Sequence, residues 1–158
     1  MNVPSSPNRE ALAFDRFILS SLDRFMQSIE GLTEQQLNWR PPAANSNSVY
    51  ALAVHTLGNT EENVLKILCG QLLERQREQE FQAAAPSADA LLEKWRILRE
   101  QLHTAITQLT ATDLDSEYLH PRRGILTGRE ILLVVARHAA EHLGQAELTL
   151  DLEKALRR

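Results

Sequence analysis

The sequence predicts an all-α fold, a four-helix bundle, on three observations. Four segments carry apolar residues at helical spacing. Ala, Leu, Glu, Gln and Arg dominate the composition, and these are residues that favour helix. Only six Gly and six Pro interrupt 158 residues, so long uninterrupted helices are expected. No stretch of useful length alternates apolar and polar residues as a half-buried strand does, and no internal repeat is evident. The length fits one domain over residues 1–158, large enough to bury a core without disulfides or structural staples.

Residues 1–7 are polar, contain two prolines and read as a loose arm. Asn8 then offers an N-cap. Phe14, Ile18, Leu22, Phe25 and Ile29 follow at spacings of three and four, one apolar helical face, and Gly31 marks its stop. Residues 32–47 are a connection in which Pro41-Pro42 excludes helix. Ser46, Asn47 and Ser48 offer caps for a second helix whose stripe is Ala51, Val54, Gly58, Glu61, Leu65 and Leu68, with Gly70 where it can end. The polar stretch 71–86 prolongs that helix or breaks from it. Ser87 suits the start of a third helix with a core stripe of Leu91, Trp95, Leu98, Leu102, Ile106 and Leu109. Residues 113–126 form a loop holding Pro121 and Gly124. Thr127 and Glu130 then make a capping box, in which each side chain satisfies the other's free amide, and open a fourth helix that runs to near Lys154. The long connections are themselves of interest, since long loops are often functional.

Charge and composition narrow the function classes. A net charge of −4 argues against nucleic acid as a partner, which requires a basic surface. The small clusters Arg122-Arg123 and Arg157-Arg158 read as solvated surface. One cysteine, Cys69, permits no intramolecular disulfide, as suits a reducing compartment, and reads as a small buried hydrophobe. The N-terminus lacks the apolar core of a signal peptide, and the apolar run 49–54 is far too short to span a bilayer. A soluble cytoplasmic protein with no membrane partner is expected. Trp39 and Trp95 read as packing anchors.

The chemistry lies in the histidines. His138 and His142 are four apart on the fourth helix, which puts both imidazoles on one face a turn apart. That face is the apolar one, continuing through Ile131, Val135 and Gln145. Imidazoles on a core-facing stripe are costly unless their nitrogens find partners, and a metal ion satisfies one nitrogen on each. His55 lies early in the second helix at the edge of its apolar stripe. Local spacing does not bring it to the other two, but facing helices of a bundle can. Three imidazoles on one divalent ion leave a position for water or substrate. His103 follows the core position Leu102 and is expected in solvent. His120, in a proline-containing loop, carries little weight as a ligand.

The segment His138-Ala139-Ala140-Glu141-His142-Leu143-Gly144-Gln145 resembles the H-x3-H-x-G-Q signature of the DinB superfamily, the damage-inducible DinB/YfiT-like group. Leu37-Asn38-Trp39-Arg40-Pro41 is similar to that family's W-x-P element, and Asn47-Ser48 followed by His55 resembles its N-S-x(n)-H segment. The three occur in the family's order, and the resemblance runs roughly over residues 14–152. It implies a four-helix bundle in which His55, His138 and His142 bind zinc, nickel or a similar ion, and it implies a homodimer. Some members of the family are transferases or isomerases that use small thiols such as mycothiol, bacillithiol or glutathione. Others are called metal-dependent hydrolases. The family name records induction by DNA damage and implies no DNA binding.

Two functions follow. In the first, the chain is a metal-dependent thiol transferase or hydrolase acting on a small molecule, the ion lowering the pKa of a water or a cofactor thiol. Asn59 and Glu62 lie on His55's side of its helix. Glu62 is then a candidate general base or a partner orienting an imidazole, and Asn59 and Gln145 are candidates for the surrounding shell. Against this, Glu62 also reads as an ordinary solvated helix carboxylate. In the second, the chain is a non-catalytic metal-binding stress-response module whose ion clips two helices together. An open coordination position favours the enzyme, and a fourth protein ligand favours the clip.

Overall fold

The computed structural model describes residues 8–157; the loose arm expected over residues 1–7, and Arg158, lie outside them. The first helix, α1 (Arg9–Ile29), starts where Asn8 accepts hydrogen bonds from the amides of Glu10 and Ala11. A short helix α2 (Glu34–Asn38), opened by a Thr33–Gln36 capping box, sits within what the prolines suggest is plain connection. The prolines act only beyond Trp39. Helix α3 (Val49–Thr60) is capped by the Ser48 hydroxyl. It continues into a wider turn of π-helix, Glu61–Leu68. The polar stretch after Gly70 does not prolong it and forms only the short α4 (Arg77–Glu80). Next come α5 (Asp89–Thr107), a short α6 (Ala111–Asp115) and α7 (Gly128–Leu156), the last opened by the Thr127–Glu130 capping box. The expected cap of α5 differs in detail: Ala88 occupies the cap position, and the Ser87 hydroxyl accepts from the amide of Asp89.

The four long elements close a bundle. Helix α1 packs on α5 and α7, and the α3–π unit packs on α7 and α5 on the opposite side. One continuous core runs through them, with Ile18, Leu22, Phe25, Leu57, Leu98, Leu102, Ile106 and Ile131 among its buried members. Each large side chain removed from water in this way contributes about 1.5–3 kcal/mol. At the α1–α5 seam the Asp23 carboxylate accepts from the Trp95 indole and the Arg99 guanidinium, and buried Asp15 meets the ring of half-exposed His103.

Three expectations change. The stretch expected as loop between α5 and α7 contains α6 and an antiparallel hairpin, β1 (Glu117–His120) and β2 (Gly124–Thr127). Its strands are four residues each, too short for alternation to register in the sequence. Cys69 is exposed rather than buried, because the helix ends there and the side chain lines a recess with Gln71, Glu100 and Gln101. The α3 stripe holds at Ala51, Leu65 and Leu68, which are buried, and changes in its middle. Leu52, Ala53, Leu57 and Val64 face the core, while Val54, Gly58 and Glu61 are half-buried along a cleft.

Polar side chains bond back onto the helix just before and within the wide turn. The Thr56 and Thr60 hydroxyls donate to the carbonyls of Leu52 and Thr56, and the Asn63 amide donates to the carbonyl of Asn59. Side chains that compete for helix carbonyls loosen the backbone ladder. A π turn then rotates everything beyond Thr60 relative to a regular helix, and such turns recur at functional sites.

Candidate metal centre

Helix α7 delivers His138 and His142 from one face, and α3 delivers His55 across the interhelical contact. The Nε2 atom of His138 lies 3.0 Å from that of His55 and 3.1 Å from that of His142. His55 is buried, and the other two are half-buried at the core edge rather than within it. The three residues each offer one nitrogen to a cluster within 4.8 Å, and no other His, Cys, Asp or Glu among the described residues joins the group.

The outer nitrogens settle the protonation of the inner ones. Nδ1 of His55 lies 2.8 Å from the Glu80 Oε2, and Nδ1 of His142 lies 2.7 Å from the Gln145 Oε1. A carboxylate and an amide carbonyl only accept, which favours the Nδ1–H tautomer in both rings and a bare inward Nε2 lone pair, with Arg75 Nη2 a longer neighbour of His55 Nδ1 at 3.4 Å. His138 Nε2 faces both lone pairs, and a proton on it serves only one of the two contacts. Its own Nδ1 is buried without a protein partner. Burial, then the neighbouring imidazoles and Arg75, push the His138 imidazole down to about 2. Burial also lowers His142, against the opposing pull of the Gln145 hydrogen bond. Both rings are therefore neutral near pH 7, the form in which imidazole binds metal. A single cation resolves the conflict among three inward nitrogens. Tetrahedral coordination at zinc–nitrogen distances spaces ligand nitrogens by about 3.3 Å, close to the 3.0 and 3.1 Å from His138 Nε2 to the other two. The donor set fits a divalent ion.

Behind the histidines lies a buried ionic cluster. The Arg75 guanidinium donates from Nε to Glu80 Oε1 at 2.7 Å, from Nη2 to Glu80 Oε2 at 2.8 Å and from Nη1 to Glu62 Oε2 at 2.8 Å. All three side chains are at most 10% exposed. Arg122, from the hairpin turn, is also bound to Glu62. Burial works to raise both carboxyls, but the hydrogen bonds from Arg122 and Arg75 on Glu62, and from Arg75 and His55 on Glu80, outweigh it and hold both below the usual range. The Phe81 ring lies over His55, centroids 4.4 Å apart.

The sequence-predicted residues thus separate. His55, His138 and His142 come together, and Gln145 orients His142. Glu62 is buried rather than solvated, holds two arginines and makes no hydrogen bond to an imidazole. Asn59 is buried and makes no side-chain hydrogen bond to a histidine. Arg122, expected as solvated surface, is tied to Glu62, while Arg157 pairs with Glu153. His120 is buried at the end of β1, not in a loop, where its Nδ1 accepts from the amide of Arg122. Glu80, Arg75 and Phe81 were not legible. A lone aromatic within a polar connection is the one signal the sequence held for them.

A family model of the DinB superfamily matches residues 19–146, most of the chain. The chain belongs to the DinB superfamily. A crystal structure described as the conserved protein of a locus from Enterococcus faecalis superposes on this DinB-superfamily chain with a TM-score of 0.70 at 16% identity, covering 89% of this chain and 95% of that one. That likeness carries the bundle fold. No curated protein matches the sequence. Among the described residues no helix is long and apolar enough to cross a membrane.

Proposed function

We propose that this protein holds one divalent ion, zinc or nickel, through His55, His138 and His142, and uses it to activate a small thiol or a water for transfer to, or hydrolysis of, a small-molecule substrate. The observation that carries this reading is a cluster of three converging imidazole nitrogens with no fourth His, Cys, Asp or Glu donor among the described residues. Structural sites are closed by four protein ligands, whereas catalytic sites keep a position open. When bound, the ion supplies Lewis acidity that favours the deprotonated form of a thiol or water. The chain's own residues keep His138 and His142 neutral, orient His55 through Glu80 and His142 through Gln145, and shield one face of His55 with Phe81. Glu62, committed to two arginines, is not free to serve as the base, so an exogenous ligand of the ion held by His55, His138 and His142 would supply the proton chemistry.

Cys69 lies at the far end of the π turn in a separate recess, whose walls partly desolvate the exposed thiol and, with Asp113, push it up, so the nucleophile comes from solution. Zinc- or nickel-loaded protein is expected to turn over within a panel of low-molecular-weight thiols with electrophiles, and of esters and amides, and Cys69→Ala is expected to keep that turnover. Inert loaded protein across the panel overturns the catalytic reading in favour of an ion that clips α3 to α7. Loss of activity in Cys69→Ala overturns the exogenous nucleophile.

A homodimer accompanies this reading. It is supported by the family and by the outer α1–α7 face, where Phe17 and Leu133 are more than half exposed around an apolar recess with Phe14 and Ala136. Sedimentation equilibrium is expected to give twice the chain mass, and the monomer mass for Phe17→Asp combined with Leu133→Asp. A monomeric parent protein removes the dimer.

A further inference from the structure

The group that commits His55 to its metal-binding form comes from outside the bundle. Glu80 ends the short helix α4, in the connection between the π turn and α5. Both of its oxygens are spoken for: Oε1 by Arg75 Nε, Oε2 by Arg75 Nη2 and by Nδ1 of His55. The carboxylate approaches α3 where that helix has no side chain. A Cβ on Gly58 would lie 2.3 Å from Glu80 Oε1, so Gly58 leaves the space that the carboxylate fills. Two further contacts hold the connection there. Asn38 exchanges hydrogen bonds with the backbone of Ala85, and Arg40 donates to the carbonyl of Phe81, the residue whose ring covers His55.

We propose that Glu80, held by Arg75 in the space left by Gly58, is a positioning residue of the metal centre: it fixes His55 as the Nδ1–H tautomer and aims Nε2 at the ion. The proposal rests on the three-histidine metal reading above. A carboxylate on the outer nitrogen of a ligating imidazole fixes ring orientation and raises ligand basicity, and its loss costs about 10–100-fold in metal affinity. The ligand and its orienter belong to different elements, so affinity depends on the docking of residues 75–81 as well as on the three histidines. Arg75 holds the carboxylate in place through Nε and Nη2.

The test uses the full chain and zinc alone, in competition with a chromophoric chelator. Glu80→Ala is expected to raise the zinc Kd about 10–100-fold. Glu80→Gln, whose carboxamide oxygen still accepts from Nδ1–H, is expected to fall between Ala and the parent. Gly58→Ala, which favours helix but blocks the carboxylate, is expected to weaken zinc binding as well. The spectroscopic signature is the His55 Nδ1–H proton resonance of the zinc-loaded protein, expected far downfield in the parent, shifted upfield in Glu80→Gln and lost to exchange in Glu80→Ala. If Glu80→Ala does not fold, Glu80→Gln decides by the same two readouts. A Kd within twofold of the parent together with an unmoved resonance overturns the positioning role. His138→Ala separates the two ideas. Loss of zinc in His138→Ala with parent affinity in the Glu80 variants rejects only the positioning role, whereas retention of zinc in His138→Ala rejects the centre itself.

Discussion

His138→Ala protein, loaded with zinc or nickel and desalted, is expected to carry no stoichiometric ion, while His120→Ala treated in parallel retains it. His138 is the shared neighbour of the set, its Nε2 within 3.1 Å of both other Nε2 atoms, so its removal leaves two nitrogens from different helices and nothing between them. The loss should exceed the roughly 100-fold that removal of an outer partner costs. His120 meets the backbone of Arg122 and not the cluster. Metal analysis by mass spectrometry after desalting reads the result, and equal metal in the two variants refutes the assignment. The same substitution has a signature without metal. Burial holds the folded His138 imidazole at about 2, against 6.5 when free, and lowers His142 in the same direction. The unfolded chain therefore takes up protons first, and metal-free protein loses stability progressively as the pH falls below about 6.5. His138→Ala should flatten that part of the profile in urea denaturation. An unchanged slope between pH 6.5 and 5 counts against the buried neutral imidazole.

Arg75→Met is expected to be the most destabilising single change at the site, costing about 3–5 kcal/mol at pH 7, because it leaves two buried carboxylates with one cation removed from between them. Arg75 is the bond between Glu62 and Glu80, and Arg122 reaches only Glu62. The folded-state carboxyls of Glu62 and Glu80 lie below their ordinary 4.5. Their contribution to stability is therefore present above about that pH and is lost as the pH falls through the folded values. In Arg75→Met burial acts with less opposition, so the gap between variant and parent should be widest near neutrality and shrink in acid. Chemical denaturation at pH 7 and pH 4 measures both. A variant within about 1 kcal/mol of the parent at pH 7 would show that the cluster is not closed to water.

The bundle was legible because it rests on local rules. The α1 and α5 stripes, the Asn8 and Ser48 caps and the Thr127–Glu130 box each depend on residues within a turn of one another, and each is where the sequence placed it. The i, i+4 pair His138 and His142 is local in the same sense, and family resemblance added His55 before any geometry did. In α3 the expected stripe holds at Ala51, Leu65 and Leu68, but Leu52, Ala53, Leu57 and Val64 take the core between them, while Val54, Gly58 and Glu61 line a cleft with residues 73–80.

The partners of the histidines were decided in three dimensions. His55 faces Glu80 across 25 residues and His138 across 83, and Glu62 faces Arg122 across 60. No spacing rule reaches over such separations. Glu62 and Glu80 are both acidic residues in helical context, and nothing in their neighbours ranks one above the other. Gly58 leaves the space, the ties from Asn38 and Arg40 bring the connection to it, and Arg75 offsets the burial of the charge. Periodicity fixes which face of a helix is apolar, because that depends on backbone geometry alone. Which carboxylate meets an imidazole depends on how separate elements pack, and only the folded chain contains that information.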